Sequence, residues 1–238
     1  MKYLLKKSIR SKVFDRNEFT FGECDGDNLK NLEEVHHIIQ NELSFPDNYI
    51  FDYIDIIDKA DYDKRKVILS NLYSRIGFTV RPRINLSPLS NTLKKILQEF
   101  NSLNSKIYDA KVKVGYSFFD FNVMVSSKRE FEKCICFEKS LFDLEVISTG
   151  EILERGLKNE FPTIKKLEEN RRHHHDQYVT AIFNKGVLKS AYRNIDLIYW
   201  INHGFLISDR LKEAIEAADL DGVEIRKSPV HFTFADEE

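Results

Sequence analysis

Cysteine, glycine and long apolar runs are scarce in this 238-residue chain, and each scarcity excludes something. The three cysteines, Cys24, Cys134 and Cys136, are odd in number and too few for the disulfide framework of a small secreted domain. The nine glycines are scattered, so no glycine-rich loop is available to cradle a phosphate. No stretch approaches the eighteen or so apolar residues of a membrane span. The opening MKYLLKKSIRSKVF has only Tyr3–Leu5 as a start of an apolar core, too short for a secretory signal. A formal net charge of −2 leaves no bulk basic field for nucleic acid or an anionic membrane. These absences place the chain in the cytoplasm by default, with no nucleic-acid and no membrane partner expected.

What is present fits an ordinary globular protein, 42% hydrophobic and 31% charged, long enough for one large domain or two small ones. Residues 26–43 carry Leu32, Val35, Ile39 and Leu43 at helical spacing behind Asp27 or Asn28 as a cap. Residues 64–76 continue the helical pattern through Ile68, Leu72 and Ile76, while 46–63 is ambiguous between helix and strand. Pro82 and Pro88 mark the strongest break, and 89–100 is again amphipathic. Beyond residue 105 the texture changes. KIYDAKVKV alternates, with Tyr108, Ala110, Val112 and Val114 on one face, and YSFFDFNVMV, CICFEKSLFDLEVI, QYVTAIFN, DLIYWI and VHFTF read as further strands. The expectation is an α+β protein: a mostly helical N-terminal lobe over 1–100, then a largely antiparallel sheet lobe over 101–238 that closes with a capped helix.

That closing segment, GFLISDRLKEAIEAADLDGVEI at 204–225, is the best-marked in the chain. Ser208 or Asp209 can cap the helix, Leu211, Ile215 and Ala218 line one face, and Gly222 sits where a helix stop calls for positive φ.

The chemistry-bearing residues support bland readings. His173, His174 and His175 are adjacent rather than at i,i+4 spacing, and no HExxH or CxxC accompanies them, so they read as a solvated polar loop, with a metal site as the alternative. Cys134 and Cys136 would share one face of a strand as small buried hydrophobes. No Gly-x-Ser-x-Gly elbow occurs, and CDGDN at 24–28 lacks the later ligands of a calcium loop. No cofactor, metal or catalytic residue is expected.

The closing segment resembles the signature of a bacterial immunity-protein family from polymorphic-toxin and contact-dependent growth inhibition systems. Leu206, Ser208, Leu211, Ile215, Leu220, Gly222, Val223 and Ile225 fall on its main positions. Phe137, Glu138, Lys139, Ser140 and Phe142 resemble the family's DFEKSxF segment, with Cys136 in place of the Asp, and IYDA at 107–110 resembles a third. The resemblance implies a non-enzymatic protein that binds a cognate toxin domain and neutralises it. The alternatives are a chaperone or adaptor for a secreted effector, and a metal-dependent hydrolase built on His173–His175.

One charge feature suits such a partner. Within 47–63, Asp47, Asp52, Asp55, Asp58, Asp61 and Asp63 stand against a single Lys59. If helical, Asp52, Asp55 and Asp58 would lie on one side, with Asp61 near and Tyr53 interleaved, as a face for a basic toxin. The same pattern also fits a plain solvated helix face.

Overall fold

The computed structural model describes residues 1–7, 19–21, 23–25, 50–57, 66–72, 84–103, 105–127, 129–158, 160–161, 163–175, 178–200 and 203–237. In chain order the strands are β1 (Tyr3–Lys7), β2 (Phe19–Phe21), β3 (Glu23–Asp25), β4 (Ile50–Ile57), β5 (Lys66–Ile68), β6 (Ile84–Leu89), β7 (Ser105–Val114) and β8 (Ser117–Ser127). They continue as β9 (Leu141–Val146), β10 (Ile152–Lys158), β11 (Val179–Leu188), β12 (Leu197–Trp200), β13 (Gly204–Ile207), β14 (Val223–Lys227) and β15 (Phe232–Phe234). The helices are α1 (Asn91–Gln98), α2 (Arg129–Cys134), α3 (Ile164–His175) and α4 (Asp209–Ala217).

The expected helical N-terminal part is therefore corrected: among the described residues the protein is mainly sheet, and residues before α1 contribute strands only. The run IFDYIDII over 50–57 is a strand. It is short, rich in isoleucine and aromatics, and lies parallel to β7, so sheet pairing outweighs its weak helical spacing. Lys66–Ile68, expected within a helix, runs parallel to β2 instead. Pro88 is accommodated because β6 is the edge of the five-stranded sheet β3-β4-β7-β8-β6, where a missing N–H breaks no central ladder. The helix expected over 26–43 lies outside the described residues.

In the four-stranded antiparallel sheet β12-β13-β1-β14, strands β12, β13 and the first half of β1 are covered on both faces, which explains the unbroken apolar runs LIYW, FLI and YLL, whereas β14 at the edge ends exposed. One pleat row, Leu5, Phe205 and Tyr199, packs with Leu93 and Leu97 of α1 and Leu211 and Ile215 of α4. The other row, Leu4, Leu206 and Ile198, packs with Phe142 of β9, Phe183 of β11, Phe232 of β15 and Phe131 of α2. The second core belongs to the mixed sheet β10-β9-β11-β15, in which only the β11–β15 pair is parallel. Helices, sheet and sheet thus stack in three layers.

Two polar nodes lock these layers. Asp196, 4% exposed, accepts from the Asn101 N–H at 3.1 Å, from Ser208 Oγ at 2.7 Å and from Arg210 Nη2 at 2.5 Å. It thereby ties the end of α1 to the start of α4, whose first turn Ser208 also caps by accepting from the Leu211 N–H. The second node joins residues 70–71 to the turn after α4. Asn71 donates to Asp221 O from its backbone and its side chain, at 3.1 and 2.8 Å. Gly222 has φ 75 there, and a Cβ on it would lie 1.9 Å from Ser70 Oγ. The positive φ next to the helix end is instead at Asp219, φ 44. Gly222 serves a close approach between distant segments.

Candidate protein-docking surface

β7 and β8 form a long antiparallel hairpin, in register from Ser105↔Ser126 to Val114↔Ser117. Its two-residue turn is Gly115–Tyr116. Gly115 has φ 58, which a tight hairpin turn favours, and nothing lies within 4 Å of a Cβ built there, so conformation and not crowding calls for glycine.

The face carrying Tyr108, Ala110, Val112, Phe121, Val123 and Val125 is buried. On the opposite face, Met124 and Ile107 join the core beneath α1, and Lys94 of α1 reaches Asp109 at 2.5 Å. Asn91, the first residue of α1, donates through Nδ2 to Asp120 O at 3.4 Å, and past it, toward the turn, the side chains of β8 are exposed. Phe118 is 53% exposed, and Tyr116 in the turn is fully exposed; Phe119, on the other face, is 44% exposed. Three of the six exposed large apolar residues among those described thus fall within four positions at one hairpin tip.

The tip is ordered by its neighbours. Tyr53 of β4 meets Phe118 edge to face, with ring centroids 5.4 Å apart, and Lys113 Nζ lies 5.5 Å from the Tyr53 ring centroid. In register, Tyr53 is opposite Lys111 and Asp55 opposite Lys113, while Lys111 is opposite Asp120. The result is an aromatic patch with charges of both signs beside it. Such a patch can bury rigid rings against a partner at low entropic cost, while the charges set orientation.

Of the expected site residues, Asp52, Tyr53 and Asp55 lie on β4, and Asp58 and Asp61 lie outside the described residues. Because 50–57 is a strand, a three-residue spacing does not align positions as it would on a helix. Tyr53 joins the aromatic patch. Tyr116, Phe118 and Phe119 were missed by sequence reasoning, although three aromatics around a glycine-containing turn are a usable signal.

Other chemistry-bearing residues have structural settings. His173, His174 and His175 are the last three residues of α3, not part of a loop. Among the described residues no group of three or more His, Cys, Asp or Glu side chains is placed to hold a metal ion. Cys134 is buried at the end of α2, and Cys136 is half-buried in the turn leading to β9. His203 stacks on Trp200 at 3.8 Å, and burial, aided by the charge of Lys6, pushes its pKa below the usual imidazole value. No helix of the described residues is long and apolar enough to cross a membrane. No protein-family model matches the chain, and no curated protein matches it.

Proposed function

We propose that this protein acts by binding another protein, as a non-enzymatic immunity protein that neutralises a cognate bacterial toxin domain. The observation that carries the reading is the aromatic tip of the β7–β8 hairpin. Tyr116 and Phe118 are held out from the protein by a sheet whose other end is locked into the core. Exposed rings on a rigid element suit a hot spot, since little conformational freedom is left to lose on binding. The resemblance of 204–225 and 136–142 to immunity proteins supplies the kind of partner. The capped strand–helix–strand segment itself is scaffold in this reading, because Leu211 and Ile215 point into the core.

The test is rescue from poisoning. A toxin domain encoded beside this gene is expressed in a sensitive bacterium with the wild-type protein or with the double variant Tyr116→Ser and Phe118→Ser. Growth should return with wild type and fail with the variant, while the variant's thermal unfolding stays that of the parent, because exposed substitutions cost within about 0.5 kcal/mol. Poisoning unaffected by the wild-type protein overturns the reading. Full rescue by the folded variant moves the docking site off the tip.

A further inference from the structure

β8 is paired along only part of its outer side. β6 runs antiparallel to it from Ile84↔Ser127 to Leu89↔Asn122, and the chain then turns into α1 at the cap Ser90. On the inner side β7 continues beside β8 as far as Val114↔Ser117. Among the described residues no strand pairs with residues 117–120 on the side away from β7.

The hairpin fixes which backbone groups this leaves. Its two-residue turn closes on Val114 and Ser117, so alternate residues from Ser117 onward exchange hydrogen bonds with β7. Phe118 and Asp120 therefore aim their N–H and C=O groups the other way, toward the line of β6. One contact agrees with this phase: Asn91 Nδ2 donates to Asp120 O at 3.4 Å, in the place that a further β6 residue would have filled. The Phe118 N–H, the Phe118 C=O and the Asp120 N–H lie beyond the reach of β6.

An open edge invites a strand, and proteins blunt such edges with lysine, proline or a bulge. Three other edges follow that rule. β6 carries Pro88, β10 is interrupted by register shifts at two places, and β14 ends in Arg226 and Lys227. Residues 117–120, SFFD, contain no lysine and no proline, and the β7–β8 register is unbroken along them. Phe118 and Phe119 lie on opposite faces and are 53% and 44% exposed. A strand laid on this edge would meet one ring above and one below at consecutive positions. A segment that is apolar at consecutive positions fits such an edge better than one that alternates apolar with charged residues.

We propose that the open part of β8 accepts an extended apolar segment of the toxin domain as an added strand in the line of β6. The inference rests on the toxin-binding reading and names what the partner contributes: main-chain hydrogen bonds to Phe118 and Asp120 for affinity, and side chains against Phe118 and Phe119 for selectivity. The edge is continuous with the exposed rings of Tyr116 and Phe118, so one partner covers both.

The experiment is amide hydrogen exchange, read residue by residue by NMR, on the free protein and on its complex with the toxin domain encoded beside this gene. In the free protein the Phe118 and Asp120 amides should exchange fast, and those of Ser117 and Phe119, bonded to β7, more slowly. The complex should slow Phe118 and Asp120 at least about tenfold. Asp120→Pro should weaken toxin binding at least about tenfold, because it removes an outward donor and crowds the edge while leaving the β7 ladder whole. Asp120→Asn, which keeps the N–H, should bind nearly as the parent does. If Asp120→Pro fails to fold, the exchange rates decide alone. A complex in which both amides exchange as in the free protein, or a folded Asp120→Pro variant that binds as the parent does, overturns strand addition and leaves docking by the rings alone. Absence of any complex with the wild-type protein overturns the toxin reading and this inference with it. Protection of both amides already present in the free protein overturns the open edge; where that protection rises with protein concentration and sedimentation velocity shows a dimer, the occupant is a second copy of the chain.

Discussion

The two ends of the β7–β8 hairpin are made of the same two strands and meet opposite fates. At one end Ile107 and Met124 are packed beneath α1, with Met124 fully buried. At the other, Phe118 and Tyr116 are exposed, and Tyr53 meets Phe118 edge to face with Lys113 Nζ over the Tyr53 ring. The strand chemistry is similar along the whole length. The difference is cover: α1 is eight residues long, and along the hairpin it extends as far as Asp120, whose carbonyl accepts from Asn91 Nδ2 at 3.4 Å. An aromatic under a helix contributes to stability, whereas an equally apolar ring just past the helix end is free to meet a partner.

The sharpest way to break this comparison is to truncate one residue at each end. Met124→Ala should cost about 2–5 kcal/mol, because it leaves a cavity among Leu93, Leu97 and Ile215. Phe118→Ala should cost within about 0.5 kcal/mol. Urea unfolding of the two variants measures both. Equal losses would mean that the tip belongs to the core, and the docking assignment would fall with it.

How α1 is anchored gives a second, smaller handle. Burial alone would raise the pKa of Asp196. Hydrogen bonds from Arg210, Ser208 and the Asn101 N–H, with the charge of Arg210, outweigh it and hold the carboxyl below its usual range. A carboxyl with a depressed folded pKa stabilises above its unfolded value, about 3.9, and that contribution is lost as pH falls through the folded value. Arg210 is 65% exposed, so solvent screens its charge and the buried acceptors dominate the effect. Asp196→Asn should cost about 1–3 kcal/mol at neutral pH, by leaving donors poorly matched. The gap between variant and parent should narrow below about pH 4. Thermal unfolding across pH checks this, and a constant gap down to strongly acid pH would show that the carboxylate is not the anchor.

Local pattern made some of this legible and hid the rest. Alternation in KIYDAKVKV exposes the buried face of β7, where Tyr108, Ala110 and Val112 are 4%, 6% and 0% exposed. The cap of α4 was readable to within two residues, Ser208 or Asp209, because capping is decided within one turn, and Ser208 fills it. The strand at 50–57 was not, since its parallel partner lies more than fifty residues away and its Ile and Asp spacing also suits a helix. Gly222 was read as a helix stop. Its contact with Ser70 is separated by about 150 residues and leaves no local mark. The hairpin tip was visible as aromatics in a strand, but their exposure depends on where a separate helix ends. The register shifts of β10 and β11 do not show in a run of residues until the pairing is known.

The least effect is expected from the acidic residues of β4. Asp52 and Asp55 were singled out as a docking face for a basic toxin, yet β4 lies beside β7, whose Lys111 and Lys113 stand opposite Tyr53 and Asp55. Asp55 thus holds a register position beside a lysine of the neighbouring strand, so charge reversal on β4 should alter the long-range field less than reversal within an isolated acidic patch. If the toxin domain is basic, Asp52→Lys with Asp55→Lys should lower the association rate at low salt several-fold and flatten its salt dependence, with little change in dissociation. Ring truncation at Tyr116 and Phe118 should do the reverse, raising dissociation at any salt, because removal of a buried anchor is felt after contact is made. Association and dissociation rates for both variants across a salt series separate the two contributions. Thermal unfolding within a few degrees of the parent is the control. An association rate unchanged at low salt, in a folded charge-reversal variant, would remove Asp52 and Asp55 from the docking surface and leave the aromatic tip as its whole.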